Sequence, residues 1–177
     1  MRNAGEVDAS GGSGDEALHR RRTWFAKYRK AAARADYRDP EDVIEVPYTC
    51  PCCGYPTLAA RNRLWYCAIC WWEDDGQDDP RADEVFGGPN GIYSLSQSRQ
   101  YFRQYGKYSP PNENARLAYP DEEGESELER ESVRRMISTF EAMMTPQDDD
   151  ARIALWEVVK ECYATLDAEK RRKNDAS

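Results

Sequence analysis

The chain has 177 residues, of which 33% are charged and 40% hydrophobic, and carries a formal net charge of −8. That balance excludes a chain packed throughout as core and predicts one small domain with helical and disordered appendages. It also argues against a protein that coats nucleic acid, and since no run of about 18 apolar residues occurs and the amino-terminal stretch lacks the apolar segment of a signal peptide, no membrane span is expected and the protein is read as cytoplasmic.

Residues 1–14, with a Ser/Gly-rich run from Ala9 to Gly14, read as a disordered tail. Residues 15–35 switch to helix formers, with Leu18, Phe25, Tyr28 and Ala32 on one face and Trp24 beside it. Arg20, Arg21, Arg22, Lys27, Arg29, Lys30 and Arg34 make this amphipathic helix the most basic part of the chain. Such a helix can lie on nucleic-acid phosphate with Trp24 and Tyr28 stacking on bases, or it can dock its aromatic face and set its charges against acidic segments. The second arrangement is favoured, because charge runs usually decorate a solvated face. Residues 36–47, broken by Pro40 and Pro47, form an acidic linker.

Five of the six cysteines fall between Tyr48 and Trp72. Cys50 and Cys53 make one C-x2-C pair and Cys67 and Cys70 a second, a spacing at which thiolates form a closed tetrahedral site for a structural Zn2+. Pro51 and Gly54 suit the turn of the first knuckle, and Cys52 is spare. Trp71 stands where the second turn would more commonly have glycine, which predicts a less regular second knuckle. The residues between the pairs predict a β-hairpin, with Leu58 on one strand, Leu64, Trp65 and Tyr66 on the other, and Arg61, Asn62 and Arg63 as the turn. Metal would also help the fold, since a domain of about 60 residues buries little surface alone. Disulfides are disfavoured by a reducing cytoplasm, and a redox C-x-x-C site would need a βαβ pattern that is not visible.

After the second knuckle, Glu73, Asp74, Asp75, Asp78 and Asp79 gather around Gly76. An EF-hand register fails, because it would place the first ligand at Trp71. A structural or solvated acidic loop is expected, with a protein-contact surface next and a catalytic centre last. Gly87 to Gly91 is a turn cluster, and Ser94 with Gln97 predicts a capping box for a helix through Tyr105 that Gly106 ends. Leu95, Tyr101, Phe102, Trp71 and Trp72 are candidates to close a core over the metal site.

The Cys-Pro-Cys-Cys-Gly run at 50–54, the second pair followed by Trp71, Trp72, Glu73, Asp74 and Asp75, then Asp79-Pro80, the Gly87–Gly91 turn and Ser94-Leu95, together resemble the bacterial cysteine-rich CPCC domain family over residues 48–108. The resemblance implies a small metal-binding module and leaves its activity open. The fold class expected is small α+β, a zinc-ribbon-like β-hairpin and knuckle domain flanked by an N-terminal basic helix and a C-terminal αα-hairpin.

Residues 109–123, with Pro110, Pro111 and Pro120, read as a second linker, and residues 124–173 as the helical hairpin. Val133, Met136, Ile137, Phe140, Met143 and Met144 recur at helical spacing, Thr145 is placed to cap the next helix with Pro146 at its first position, and Ile153, Trp156, Val159, Tyr163 and Leu166 line one face of that helix. Cys162 is read as a small buried hydrophobe. Two such stripes need a partner, which is the N-terminal helix, the zinc domain or another chain. The chain after Leu166 is expected to fray, leaving 174–177 as a tail.

His19 is the single histidine and sits on the basic helix, so no triad or Cys–His pair assembles around it. Four cysteines also close a zinc site that a catalytic metal would keep open. The leading reading is therefore a non-enzymatic zinc-binding module that acts as an interaction or regulatory adaptor for an unknown protein partner. A nucleic-acid-binding zinc ribbon using residues 20–34 comes second, and a carboxylate-dependent hydrolase on the acidic loop third. The sequence leaves the oligomeric state open.

Overall fold

The computed structural model describes residues 11–32, 46–111, 125–145 and 148–176. Its elements are α1 (Gly11–Ala32), β1 (Tyr48–Thr49), β2 (Pro56–Leu58), single-turn 3-10 helices at Asp79–Arg81 and Gly88–Asn90, α2 (Leu95–Tyr105), α3 (Glu127–Met143) and α4 (Asp149–Ala176). The class is the small α+β fold expected from the sequence. Among the described residues, no helix is long and apolar enough to cross a membrane.

Strand pairing differs from the sequence reading in one respect. β1 and β2 pair antiparallel, Tyr48 against Leu58 and Thr49 against Pro56, and so flank the first knuckle instead of joining the two. An isolated bridge between Tyr66 and Glu73 flanks the second in the same way. Each C-x2-C turn reverses the chain by itself, so the residues on either side already run antiparallel and satisfy each other: Cys50 N–H donates to Tyr55 O and Cys67 N–H to Trp72 O, both at 2.9 Å. Arg61, Asn62 and Arg63 therefore connect two small hairpins and are not the tip of one.

Helix ends follow local chemistry where the residue types dictate it. Ser94 Oγ accepts the Gln97 N–H while Gln97 reaches back to the Ser94 N–H, and Gly106, left-handed at φ 76°, ends α2. Ser126 and Glu129 form a second capping box at the start of α3. Ser-x-x-Glu is the spacing such a box requires. At the start of α4 the expected cap is corrected. Asp148 accepts the Ala151 N–H at 2.7 Å, while Thr145 Oγ1 donates to Ala142 O at 2.6 Å. A carboxylate near a helix N-terminus gains from the dipole as well as the hydrogen bond. Pro146 lies outside the described residues.

The far end of α4 also departs from expectation, since the helix continues to Ala176 without a frayed segment after Leu166. Glu169 accepts from Ser126 Oγ at 2.8 Å and Lys173 pairs with Glu129 at 2.6 Å, which fastens the end of α4 to the beginning of α3. At the amino end, α1 begins at Gly11, within the stretch expected to be a tail. The remainder of that tail, residues 33–45 of the helix end and acidic linker, and residues 112–124 of the second linker lie outside the described residues.

A single core joins what the sequence suggested as appendages. Phe140 of α3 meets Phe25 of α1 edge-on at 5.6 Å, stacks on Tyr55 of the first knuckle at 5.8 Å and meets Trp156 of α4 at 5.8 Å. Val133, Met136, Met143, Val159 and Cys162 are buried in the same cluster as the cysteines, Trp72 and Leu95. The helical stripes thus find their partners in α1 and the knuckle domain.

Candidate metal centre

The two knuckles are built alike. Gly54, at φ 83°, donates its N–H to Cys50 O, and Trp71, at φ 69°, donates its N–H to Cys67 O, each at 2.9 Å. The second turn is thus as regular as the first, against the expectation drawn from Trp71. A left-handed residue with a side chain costs about 1–2 kcal/mol. Lys107 offsets part of that cost, with Nζ 3.9 Å from the centre of the Trp71 ring.

Cys50, Cys53, Cys67 and Cys70 are fully buried, and their sulfurs all lie within 4.8 Å of one another. Cys50 Sγ is 3.7 Å from Cys70 Sγ, and Cys53 Sγ is 3.7 Å from Cys67 Sγ. A tetrahedral ion with metal–sulfur bonds of about 2.3 Å sets its sulfurs roughly 3.8 Å apart, so the spacing fits a metal site and is far too long for a disulfide. Cys52 is buried beside them but is not part of the converging set. Burial pushes the thiols of Cys50, Cys53 and Cys70 above their ordinary range. Burial acts on Cys67 as well, but hydrogen bonds from Cys50, Cys53, Cys70 and the Cys70 N–H outweigh it and hold that thiol well below the ordinary range. Thr57 Oγ1 donates to the same sulfur at 3.0 Å. Binding a metal would expel the remaining protons.

The acidic loop does not converge. Asp74 is fully buried and accepts from Arg61 Nε at 2.9 Å and the Asn62 N–H at 2.6 Å. Asp75 accepts from the Gln77 N–H and from Asn90 Nδ2, while Asp78 takes Arg22 and Arg61 and Asp79 takes Arg22 and Arg99. Burial alone would raise the Asp78 and Asp79 carboxyls. The Asp79 N–H with Arg22 and Arg61 holds the first below the usual range, and Arg99 with Arg22 holds the second there. Burial pushes Glu73 up. Among the described residues, the cysteines form the one set of three or more potential metal ligands that comes together.

The basic helix is largely occupied within the molecule. Arg20 pairs with Glu141 at 2.9 Å, Arg21 Nε donates to Cys53 O at 2.9 Å, and Arg29 donates to Val46 O while lying over the Tyr48 ring. Lys27 and Lys30 are exposed, and Arg34 lies outside the described residues. His19 is exposed on α1 and lines a polar cleft of about 730 Å³ with Arg22, Asp79, Asp83, Arg99 and Arg103. The guanidinium groups in that cleft already hold Asp79 and Asp15. Sequence reasoning missed Thr57, Arg61, Arg99 and Lys107 as neighbours of the knuckles, because no spacing rule links residues so far apart.

Fold and site together define a small α+β protein with a zinc-ribbon-like pair of knuckles whose four cysteines are positioned to hold a metal ion. Residues 48–123 match a family model described as Cysteine-rich CPCC, consistent with a cysteine-rich CPCC domain in this part of the chain. The match runs past Tyr108, where the sequence resemblance ended, and α1, α3 and α4 lie outside it. Comparison with curated proteins and with solved structures gave no match.

Proposed function

We propose that the protein is a non-enzymatic zinc-binding module in which Cys50, Cys53, Cys67 and Cys70 hold one structural Zn2+, and that it serves as an adaptor for a protein partner in the cytoplasm. The observation that carries the metal reading is the set of four buried sulfurs within 4.8 Å of one another, with Cys50 and Cys70, and Cys53 and Cys67, 3.7 Å apart. Four thiolates suit zinc and close its coordination shell, so the ion would supply folding free energy and leave no open position for a substrate. Free cysteines throughout the chain suit a reducing compartment. Elemental analysis should find one zinc per chain, lost in Cys53→Ser and kept in Cys52→Ser. Equal loss in both variants would refute this ligand set.

Support for the adaptor comes from the loop between the knuckles. Leu64, Trp65 and Tyr66 are 58%, 50% and 42% exposed in succession. Bonds from Leu64 N–H to Asp74 O and from Asp74 N–H to Trp65 O, both at 3.0 Å, fix that loop in place. A preorganised aromatic on the surface is the type of residue that anchors protein contacts. Crosslinking in the native host with wild type and Trp65→Ser, matched for zinc content, should show one adduct lost in the variant. An unchanged adduct pattern refutes this surface. The second reading, nucleic acid held by residues 20–34, loses support because Arg20, Arg21, Arg22 and Arg29 are engaged within the molecule.

A further inference from the structure

Three cations approach the knuckles from outside the cysteine pairs, and each lands on a main-chain carbonyl. Arg99 of α2 donates Nε to Pro51 O at 3.0 Å, Arg21 of α1 donates Nε to Cys53 O at 2.9 Å, and Lys107 donates Nζ to Ile69 O at 3.1 Å. A trans peptide is planar, with its C=O and N–H pointing opposite ways. Holding the oxygen from outside therefore aims the following N–H inward. In the Ile69–Cys70 peptide that N–H points at Cys67 Sγ, 3.5 Å away. In the Cys53–Gly54 peptide it closes the first knuckle onto Cys50 O at 2.9 Å.

A cation on the oxygen also polarises the N–H on the far side, as linked hydrogen bonds strengthen one another at low dielectric. Its positive charge faces a cluster that, as four thiolates around a divalent ion, would be a dianion. Each cation additionally holds a carboxylate: Arg21 with Glu141 at 3.7 Å, Arg99 with Asp79 at 2.6 Å and Lys107 with Glu125 at 2.6 Å. A packing clamp would depend on both ends of such a bridge. An electrostatic role toward sulfur depends only on the cation.

We infer that Lys107, Arg99 and Arg21 are positioning residues of the thiol site: all three fix knuckle peptides, Lys107 also polarises an N–H that donates to a cysteine sulfur, and together they slow the loss of bound metal. This rests on the zinc reading above. α1 and α2 are then part of the metal site and not only its cover.

The test is the rate at which the full-length zinc protein gives up its metal to excess chromogenic chelator. Lys107→Met should release zinc about tenfold faster, the low end for partners that act on a metal through its ligands. Lys107→Arg, which restores a cation, should return the rate toward wild type. Glu125→Gln, which removes only the carboxylate, should change it by less than about threefold, as for a partly exposed ion pair. With cobalt in place of zinc, the sulfur-to-metal charge-transfer band should shift in Lys107→Met and not in Glu125→Gln. Should Lys107→Met fail to fold, Lys107→Gln, which keeps a polar side chain but no charge, makes the same comparison against Glu125→Gln. Release as fast in the carboxylate variant as in the cation variant, or equal to wild type in both, overturns the inference and leaves the zinc reading intact. A wild-type protein that carries no metal overturns both.

Discussion

Gly54 is where the first knuckle, the basic helix and the backbone conformation meet, and Gly54→Ala should cost far more than its single methyl suggests. The residue sits at φ 83°, which an alanine adopts at about 1–2 kcal/mol. A Cβ there would lie 2.9 Å from Leu18 Cδ1 and 3.2 Å from Arg21 Cβ, so the Leu18 side chain must turn away and α1 give by a few tenths of an ångström at Arg21, and crowding of this kind costs about 1–3 kcal/mol. Together these give about 2–5 kcal/mol, a large part of the roughly 5–15 kcal/mol by which a typical domain is stable. The displacement would also pull Arg21 from Cys53 O, so amide exchange should accelerate along α1 as well as in the knuckle. Urea unfolding at fixed free zinc gives the first quantity and hydrogen exchange the second. Trp71→Gly at the equivalent turn is the control. It removes a similar left-handed strain but loses the ring's packing against the core together with its contact with Lys107, so it should destabilise the protein without loosening α1. A Gly54→Ala protein within about 0.5 kcal/mol of wild type, or one whose α1 is as protected as before, would refute the reasoning.

Charge reversal at Arg20, Arg21 and Arg22 should loosen α1, read as faster exchange over 15–32, and leave affinity for a mixed DNA duplex in the nonspecific range of about 10⁻⁴ to 10⁻⁶ M at physiological salt. A nanomolar, salt-sensitive complex that the reversal abolishes would reinstate nucleic-acid binding. Acid should release the same helix in a defined window. The carboxyls of Asp78 and Asp79 are depressed in the folded protein, so their contribution is fully present above the ordinary aspartate value of about 3.9 and is lost as pH falls through their lower folded values. Wild type should hold more α1 protection than Asp78→Asn/Asp79→Asn above that pH and lose the excess below it. A difference that grows on acidification would contradict the assignment.

What the sequence determined by itself was much of what is fixed within one turn of chain, although the start of α4 is capped by Asp148 and not by Thr145. The Ser94 and Gln97 box, the Gly106 stop, the first C-x2-C turn and the helical stripe through Val133, Met136 and Phe140 depend on residue types three or four positions apart, and these took the form their spacing predicted. Even some local choices were decided from farther away. Trp71 accepts a left-handed backbone where Lys107 covers its ring, and α4 stays helical to Ala176 where Glu129 and Ser126 hold its end. What covers the two stripes, why Asp74 is buried, and which cations reach the carbonyls of Pro51, Cys53 and Ile69 were decided only by the tertiary structure. Arg21 and Cys53, or Asp74 and Arg61, become partners because packing removes water from both at once and leaves each the other's best available hydrogen bond. A side chain's type fixes what it can bond to, but which partner it meets depends on the surfaces that burial brings together.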